Sequence, residues 1–387
     1  MAKREGIEIS IAVAEAVKLA NTDMVAAYPI TPQTHIVEKL AEMVADGELK
    51  ASYINAESEH SAISLCLGSS IAGARTFTAT SSQGLALMHE ILYIAAGMRL
   101  PIVMLVVNRA LSAPLSIWGD HSDVMAERDT GWLQLFAQNG QEAFDMTLQA
   151  FKIAEDHRVM LPIIVNIDGF TLSHVIEPIE ILEQAEVNKF INEFKPLYPL
   201  DPRQPMTFGA FAVPEYYIEA KKQVEDAVFS SAKVIKEVWN EFGKLFGRKY
   251  TPVESYKTTD ANILLLTLGG IGETAQTAVD EMRADGIKVG LLKLKMYRPF
   301  PIAELRKAVK NAKTLVIAER AMSIGGLGGP LGFEVRSAFY NETKKPIIHD
   351  YILGLGGRDV KIDDFKMMVS RSLKNKPKEY ELIGVRE

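Results

Sequence analysis

Between residues 23 and 168 the sequence alternates short β-branched or apolar runs with longer stretches of helical periodicity, and this alternation restricts the fold more than any other feature. Runs at 24–28, 52–55, 75–80, 102–107 and 163–167 are of strand length and soon meet Pro, Asn, Ser or Gly, as a buried strand entering a loop does. Segments 35–45, 59–72, 85–97 and 141–156 repeat apolar residues at the spacing of one helix face. Strands joined by crossover helices form a parallel sheet, so the pattern predicts a doubly wound α/β domain over 1–190. A smaller α/β block is expected over 258–387, with strands at 263–267, 288–294, 314–317 and 347–351 and helices at 273–283, 303–311 and 332–340. Between them, 191–257 reads as a proline-rich arm and a connecting helix. Pro196, Pro199, Pro202, Pro205 and Pro214 exclude regular helix and central strand from the arm, because proline lacks the N–H both need. From 218 to 246, Val224, Val228, Ala232, Ile235 and Trp239 fall on one helix face that could pack on either block or on a partner.

Composition narrows the function classes. At roughly 150 residues per domain, 387 residues make two or three domains. The 43 basic side chains are scattered and outnumbered by 49 acidic ones, which argues against a nucleic-acid or polybasic membrane surface. Glu15 and Lys18 interrupt the N-terminal apolar stretch, and no run approaches the ~18 apolar residues of a spanning helix, so a cytoplasmic protein is expected. Cys66 stands alone, which excludes an intrachain disulfide, a four-thiolate zinc site and an iron–sulfur cluster held by this chain alone.

In open parallel sheets ligands bind beyond the carboxyl ends of the strands, so the residues just after each strand carry the functional information. The first strand enters Tyr28-Pro29-Ile30-Thr31-Pro32, either a stiff loop presenting one hydroxyl or a plain turn with Thr31 as helix cap. The second enters Asn55-Ala56-Glu57-Ser58-Glu59-His60, where the carboxylates suit a capping box, a solvated helix start or a half-buried acid. Glu57 and His60 have the spacing of a metal-binding pair in helical bundles, but no second pair exists and the block is not a bundle, so no metal site is expected. Arg109 follows a buried strand and suits a carboxylate or phosphate. The loop 113–129, with Trp118, Asp120, His121, Asp123 and Glu127, reads as a binding or interface loop. Asp120, His121 and Ser122 are adjacent and cannot form a hydrolase relay. Gly270, Gly272 and Ala275 fit a dinucleotide fingerprint, yet the next strand ends Lys293-Leu294-Lys295 without the ribose-binding acid, which leaves only an NADP-type site open. The glycines from 325 to 332 fit an anion site, an interface or a turn.

Taken together, Tyr28-Pro29-Ile30-Thr31-Pro32, Glu57-Ser58-Glu59-His60, and the stretch from Asn108-Arg109-Ala110 to Trp118-Gly119-Asp120-His121-Ser122-Asp123 resemble the 2-oxoacid:ferredoxin oxidoreductases. The resemblance covers essentially the whole chain, and the arm with Pro214-Glu215-Tyr216-Tyr217 is similar to alpha subunits of the pyruvate branch. It implies a thiamine diphosphate pyrimidine-binding domain over 1–190 and a transketolase C-terminal-like domain over 258–387. It also implies that Glu59 faces the aminopyrimidine ring nitrogen, that Pro29 and Ile30 line the cofactor, and that Thr31 and Arg109 meet the substrate. The implied reaction is oxidative decarboxylation of pyruvate with coenzyme A to acetyl-CoA and CO2, with electrons passed to ferredoxin through iron–sulfur clusters. One thiol cannot hold such a cluster, so the clusters are expected on other chains. Asp168-Gly169 lacks the family's Gly-Asp-Gly run, so a beta-type subunit is expected to bring magnesium and the diphosphate site, alongside gamma and ferredoxin-like delta subunits or fused equivalents. The alternatives are a sister enzyme for 2-oxoisovalerate, 2-oxoglutarate or oxalate, a stand-alone NADP-dependent dehydrogenase using Gly270 and Gly272, and a scaffold subunit.

Overall fold

A computed structural model describes residues 3–386, so the extreme ends of the expected segments 1–190 and 258–387 lie outside the described residues. β1 (Lys3–Glu8) leads into α1 (Ile9–Leu19), followed by β2 (Met24–Ala27), α2 (Thr34–Ala45), β3 (Ser52–Asn55), α3 (Glu59–Ile71) and β4 (Thr76–Thr80). Helices α4 (Ser82–Leu87) and α5 (His89–Gly97) precede β5 (Ile102–Asn108), α6 (Ser122–Ala126), β6 (Leu133–Phe136), α7 (Gly140–Ala154) and β7 (Ile163–Asp168). Next come β8 (Ile176–Ile181), α8 (Gln184–Phe190), the long α9 (Pro214–Phe246) and β9 (Val253–Tyr256). The chain continues with β10 (Ile263–Leu268), α10 (Ile271–Ala284), β11 (Val289–Leu294), β12 (Met296–Arg298), α11 (Ile302–Val309), β13 (Thr314–Glu319), α12 (Pro330–Phe339), β14 (Ile347–Ile352), α13 (Ile362–Lys374) and β15 (Glu381–Leu382).

The strands form two large sheets, ordered β12-β6-β7-β5-β4-β2-β3 and β15-β14-β13-β10-β11-β9, and β1 pairs antiparallel with β8. Only β12 and β9, each on a sheet edge, run antiparallel within the large sheets. Side chains along β5 divide by the two-residue period: Val103, Leu105 and Val107 join a core with α1, α2 and α7, whereas Ile102, Met104 and Val106 face the other way. That second core also contains Leu264 and Leu266 of β10 and Leu292 and Leu294 of β11, so the two sheets share buried apolar contacts. The far side of β10, Ile263 and Leu265, packs on α10 and α13. In the seven-stranded sheet the chain runs from β2 outward to β3 and then crosses back to β4, on the opposite side of β2. By its topology this reversal marks the carboxyl ends of β2 and β4 as the crevice where such sheets take ligands.

Every strand expected from the alternation is present, within a residue or two of its expected bounds. The expected helix 85–97 is instead two helices broken at Met88, whose N–H is shared between the Gly84 and Leu85 carbonyls. Proline does not exclude helix from the whole arm: Pro214 opens α9 at its first turn, where a missing N–H costs nothing. The apolar face of α9 packs on the first block, with Trp239 and Phe242 buried and the Phe242 ring 5.1 Å from that of Phe190. The pattern does not predict α1, α6, α8 and α13, nor the strands β1, β6, β8, β9, β12 and β15. β12 follows the second block's β11 directly yet completes the first sheet by pairing with β6.

Candidate active site

The loop after β2 is fastened from below. Gln33, fully buried, donates from Nε2 to the carbonyls of Tyr28 at 3.2 Å and Ala79 at 2.7 Å, tying the loop to the end of β4. Its N–H bonds the Ile30 carbonyl at 2.8 Å, which closes a tight turn. Thr31 is thereby held on the crevice side, exposed, with no side-chain hydrogen bond among the described residues. It caps no helix: α2 starts at Thr34 after Gln33, which makes no side-chain cap bond.

Glu59 opens α3. The capping duty falls to Ser58, whose hydroxyl accepts from the Ser61 N–H at 3.1 Å, while Glu57 is exposed and accepts from the Ser61 hydroxyl at 2.7 Å. Glu59 is therefore free of both tasks, 7% exposed, and without a side-chain hydrogen bond among the described residues. Its carboxylate lies over Gly84 of α4, where a β-carbon would sit 2.6 Å from both Glu59 Oε1 and Thr80 Oγ1. The Thr80 hydroxyl is buried and unpartnered. A free carboxylate, an orphaned hydroxyl and a glycine with no room for a side chain thus meet beside the crevice. Nothing in the spacing of Thr80 and Gly84 marks them, since their part depends on how closely α3 and α4 approach.

Arg109 continues β5 into the crevice and is 7% exposed. Its Nη1 donates to the Thr31 carbonyl at 2.9 Å and its Nε to the Ser116 carbonyl at 2.8 Å, while Nη2 makes no hydrogen bond among the described residues. Burial lowers its pKa and the charge of Asp123 opposes the shift. The fold thus joins Arg109 directly to the Thr31 loop, with Pro29 and Ile30 on the same loop. Glu59 stands apart from this pair and shares no hydrogen bond with it.

The loop 113–129 is less open than its polarity suggested: Asp120, His121, Asp123 and Glu127 are all buried. His121 Nε2 lies 2.8 Å from Asp168 Oδ1, the Arg320 guanidinium bonds the same oxygen, and the Gly270 N–H at the start of α10 bonds Asp168 Oδ2. Burial alone would raise the Asp168 carboxyl, but Arg320, His121 and the Gly270 N–H outweigh it and hold it far below the usual carboxylate range. The glycine turn that fitted a dinucleotide fingerprint therefore holds an anion of its own chain. A β-carbon at Gly269 or Gly270 would come within 3 Å of Asp168 Oδ2, so no phosphate can share that place. This overturns the NADP-dehydrogenase alternative. The glycine stretch 325–332 also closes on a carboxyl of its own chain: Glu319 accepts from the N–H groups of Leu331 at 2.9 Å and Gly332 at 2.8 Å, at the start of α12. Burial, together with neighbouring Asp350, raises the Glu319 carboxyl well above its ordinary value.

Tyr28, Ile54, Leu87, Leu115, Ile117 and Trp118 are exposed apolar side chains, and Tyr28 immediately precedes the Pro29–Pro32 loop. Among the described residues no group of three or more His, Cys, Asp or Glu could hold a metal ion, and no helix is long and apolar enough to cross a membrane.

Residues 15–240 match the family described as pyruvate flavodoxin/ferredoxin oxidoreductase, thiamine diphosphate-binding, and residues 261–365 match pyruvate:ferredoxin oxidoreductase core domain II. The chain is 49% identical to pyruvate synthase subunit PorA of Pyrococcus furiosus, over 96% of this chain and 94% of that one. It is 48% identical to PorA of Methanocaldococcus jannaschii, over 97% and 96%, and 46% identical to ketoisovalerate oxidoreductase subunit VorA of Pyrococcus horikoshii, over 90% and 88%. Among solved structures, a 2-oxoglutarate:ferredoxin oxidoreductase from Magnetococcus marinus shares the fold, with a TM-score of 0.75 at 21% identity, over 96% of this chain and 66% of that one. An inactive split-gene transketolase tetramer subunit shares it more loosely, with a TM-score of 0.57 at 13% identity, over 96% of this chain and all of that one. With a family model matching more than half the chain and relatives near half identical along almost its full length, the chain belongs to the pyruvate:ferredoxin oxidoreductase family, among its alpha-type subunits.

Proposed function

We propose that this chain supplies one half of a thiamine diphosphate site in a pyruvate:ferredoxin oxidoreductase, the half that holds the aminopyrimidine ring and the 2-oxoacid carboxylate. The observation that carries the proposal is the free, half-enclosed Glu59 carboxylate over Gly84, on the same crevice as the Thr31 hydroxyl and the unoccupied donor Nη2 of Arg109. This arrangement fits the cofactor's aminopyrimidine half: an acid with no protein partner can meet a ring nitrogen, and the absent side chain at 84 keeps that acid in place. Thiamine diphosphate, when bound, supplies a nucleophilic carbon and an electron sink.

Every other task falls to side chains of the protein. Glu59 exchanges a proton with the ring nitrogen, and its shelter on α3 strengthens that hydrogen bond. Arg109 Nη2 neutralises and orients the substrate carboxylate, and the Thr31 hydroxyl donates beside it. Pro29 and Ile30 form the apolar wall of the same loop, and Tyr28, exposed beside them, helps exclude water once a partner covers it.

Asp168 is engaged by Arg320, His121 and Gly270, so magnesium and the diphosphate fall to a beta-type subunit. Cys66 is buried and burial lifts its thiol to about 12, so the iron–sulfur clusters belong to partner chains, delta-like or fused, with a gamma-type subunit completing a cytoplasmic complex. In this reading 1–190 faces the pyrimidine, 191–257 is the connecting arm and helix, and 258–387 is the transketolase C-terminal-like part. Pyruvate is preferred over a branched 2-oxoacid because the PorA relatives reach 51% identity against 46% for VorA.

The test is the reconstituted complex carrying Glu59→Gln. Pyruvate- and coenzyme A-dependent ferredoxin reduction should fall by at least ~100-fold, since an amide cannot exchange that proton. Turnover near the parent value would refute the proposal, and profiling pyruvate against 2-oxoisovalerate decides the substrate.

A further inference from the structure

Asp123 lies in the short helix α6 and is 1% exposed, yet no cation bonds it among the described residues. Its two oxygens accept from four N–H donors on three separate segments. Oδ2 takes the backbone N–H groups of Arg109 at 2.9 Å and Ser82 at 3.0 Å; Oδ1 takes the Val124 N–H at 2.7 Å and the Asn108 side-chain amide at 3.1 Å. The segments it joins lead to the two separate halves of the crevice. Arg109 carries the donor aimed at the substrate carboxylate. Ser82, which has a φ of 47°, turns β4 into α4 and so sets the height of Gly84 beneath the Glu59 carboxylate. A second link runs parallel to it, because the Ser82 hydroxyl donates to the Ala110 carbonyl at 2.6 Å.

We infer that Asp123 is a positioning residue that registers the Arg109 loop against the α4 turn, so that the carboxylate-binding donor and the Glu59 seat keep a fixed separation. The inference rests on the functional reading above. Parallel neighbours β4 and β5 are tied by their ladder only as far as Thr80 and Val106. Beyond it the ladder stops, and the segments are held by this buried acceptor shared by both N–H groups, with the Ser82–Ala110 bond beside it. Asparagine cannot replace it. Its amide nitrogen would face two N–H donors on one side or the other, leaving buried donors unpaired.

The experiment compares Asp123→Asn with Asp145→Asn in the assembled complex. Asp145 is also fully buried but binds Arg248 and Tyr250, away from the crevice. Hydrogen–deuterium exchange should show faster exchange in the peptides containing Ser82 and Arg109 for Asp123→Asn only. KM for pyruvate and the rate of deuterium exchange at the cofactor's reactive carbon should both worsen by at least ~10-fold, again for Asp123→Asn only. If Asp123→Asn does not assemble, Asn108→Ala removes one of the four donors and should shift the same readouts in the same direction. Asp123→Asn matching Asp145→Asn in all three readouts, or Asn108→Ala matching the parent, overturns the inference. Glu59→Gln and Arg109→Met run beside them. If both are impaired while Asp123→Asn is not, this inference alone falls; if neither is impaired, the functional reading falls and takes it along.

Discussion

Gly84→Ala moves the Glu59 carboxylate without altering its chemistry. A β-carbon at 84 would lie 2.6 Å from Glu59 Oε1 and Thr80 Oγ1, and 2.8 Å from Glu59 Cγ. Ordinary contact begins near 3.4 Å, so about 0.8 Å must be found by a neighbour. The Thr80 hydroxyl has no partner to lose and clears the methyl by turning about its side-chain bond, whereas Glu59 is met at both Oε1 and Cγ and must swing toward the crevice. Displacement of a reacting group by ~1 Å costs about 100-fold in rate, which is ~2.7 kcal/mol of transition-state stabilisation. For the fold, alanine's helix preference of roughly 0.5–1 kcal/mol offsets part of the ~1–3 kcal/mol that an extra methyl costs at a packed site. The assay is kcat for ferredoxin reduction at saturating pyruvate, coenzyme A and thiamine diphosphate, with thermal unfolding of the same preparation as the control. The expected result is a loss of about 100-fold in kcat with an unfolding midpoint lowered by no more than a few degrees. A kcat within about threefold of the parent would mean that the carboxylate's position over Gly84 has no bearing on turnover.

Arg109→Met removes a charge-assisted hydrogen bond of about 1.5–3 kcal/mol, so KM for pyruvate should rise roughly 10- to 150-fold while thiamine diphosphate affinity, read by fluorescence titration, stays put. An unchanged KM would remove Arg109 from the substrate. Asp168→Asn leaves Arg320 buried without its counter-charge and should cost about 3–5 kcal/mol in chemical denaturation. The pH dependence has a definite sign. Because the folded carboxyl is held below its ordinary 3.8, its contribution is complete above that value and fades only as pH falls through the lower folded value. The penalty of Asp168→Asn should therefore be constant from about pH 5 to 8 and shrink in strong acid; a penalty that grows toward acid would contradict the assignment.

What the sequence disclosed and what it concealed divide along a physical line. The place of Thr31 and Arg109 just beyond strand ends was legible, because strand alternation locates strand ends, and strand ends locate the crevice. Their mutual bond, from a guanidinium to a backbone carbonyl, was not, since it needs the distance between two loops. Asp168 looked like a failed metal motif. Its partners Gly270 and Arg320 stand 102 and 152 residues further along, beyond the reach of any local pattern. Asp123 reads in sequence as one polar residue of a binding or interface loop, because sequence shows charge and not the four N–H groups that make its burial tolerable. The break at Met88 escaped periodicity since both halves, through Leu85 and Leu92, feed the same core.

The pairing of β12 with β6 has a practical consequence for anyone who divides this chain. A fragment ending at 257 would keep the first sheet but lose Met296–Arg298, baring the backbone of Leu133–Phe136 along an apolar edge. Such an edge invites pairing with another copy, so the fragment would be prone to stick to itself even with its crevice intact. The reverse fragment would carry β12 as a loose ribbon with nothing to lie against. Expression boundaries, fusion points and proteolytic maps must therefore treat the strap after β11 as belonging to the opposite half of the molecule.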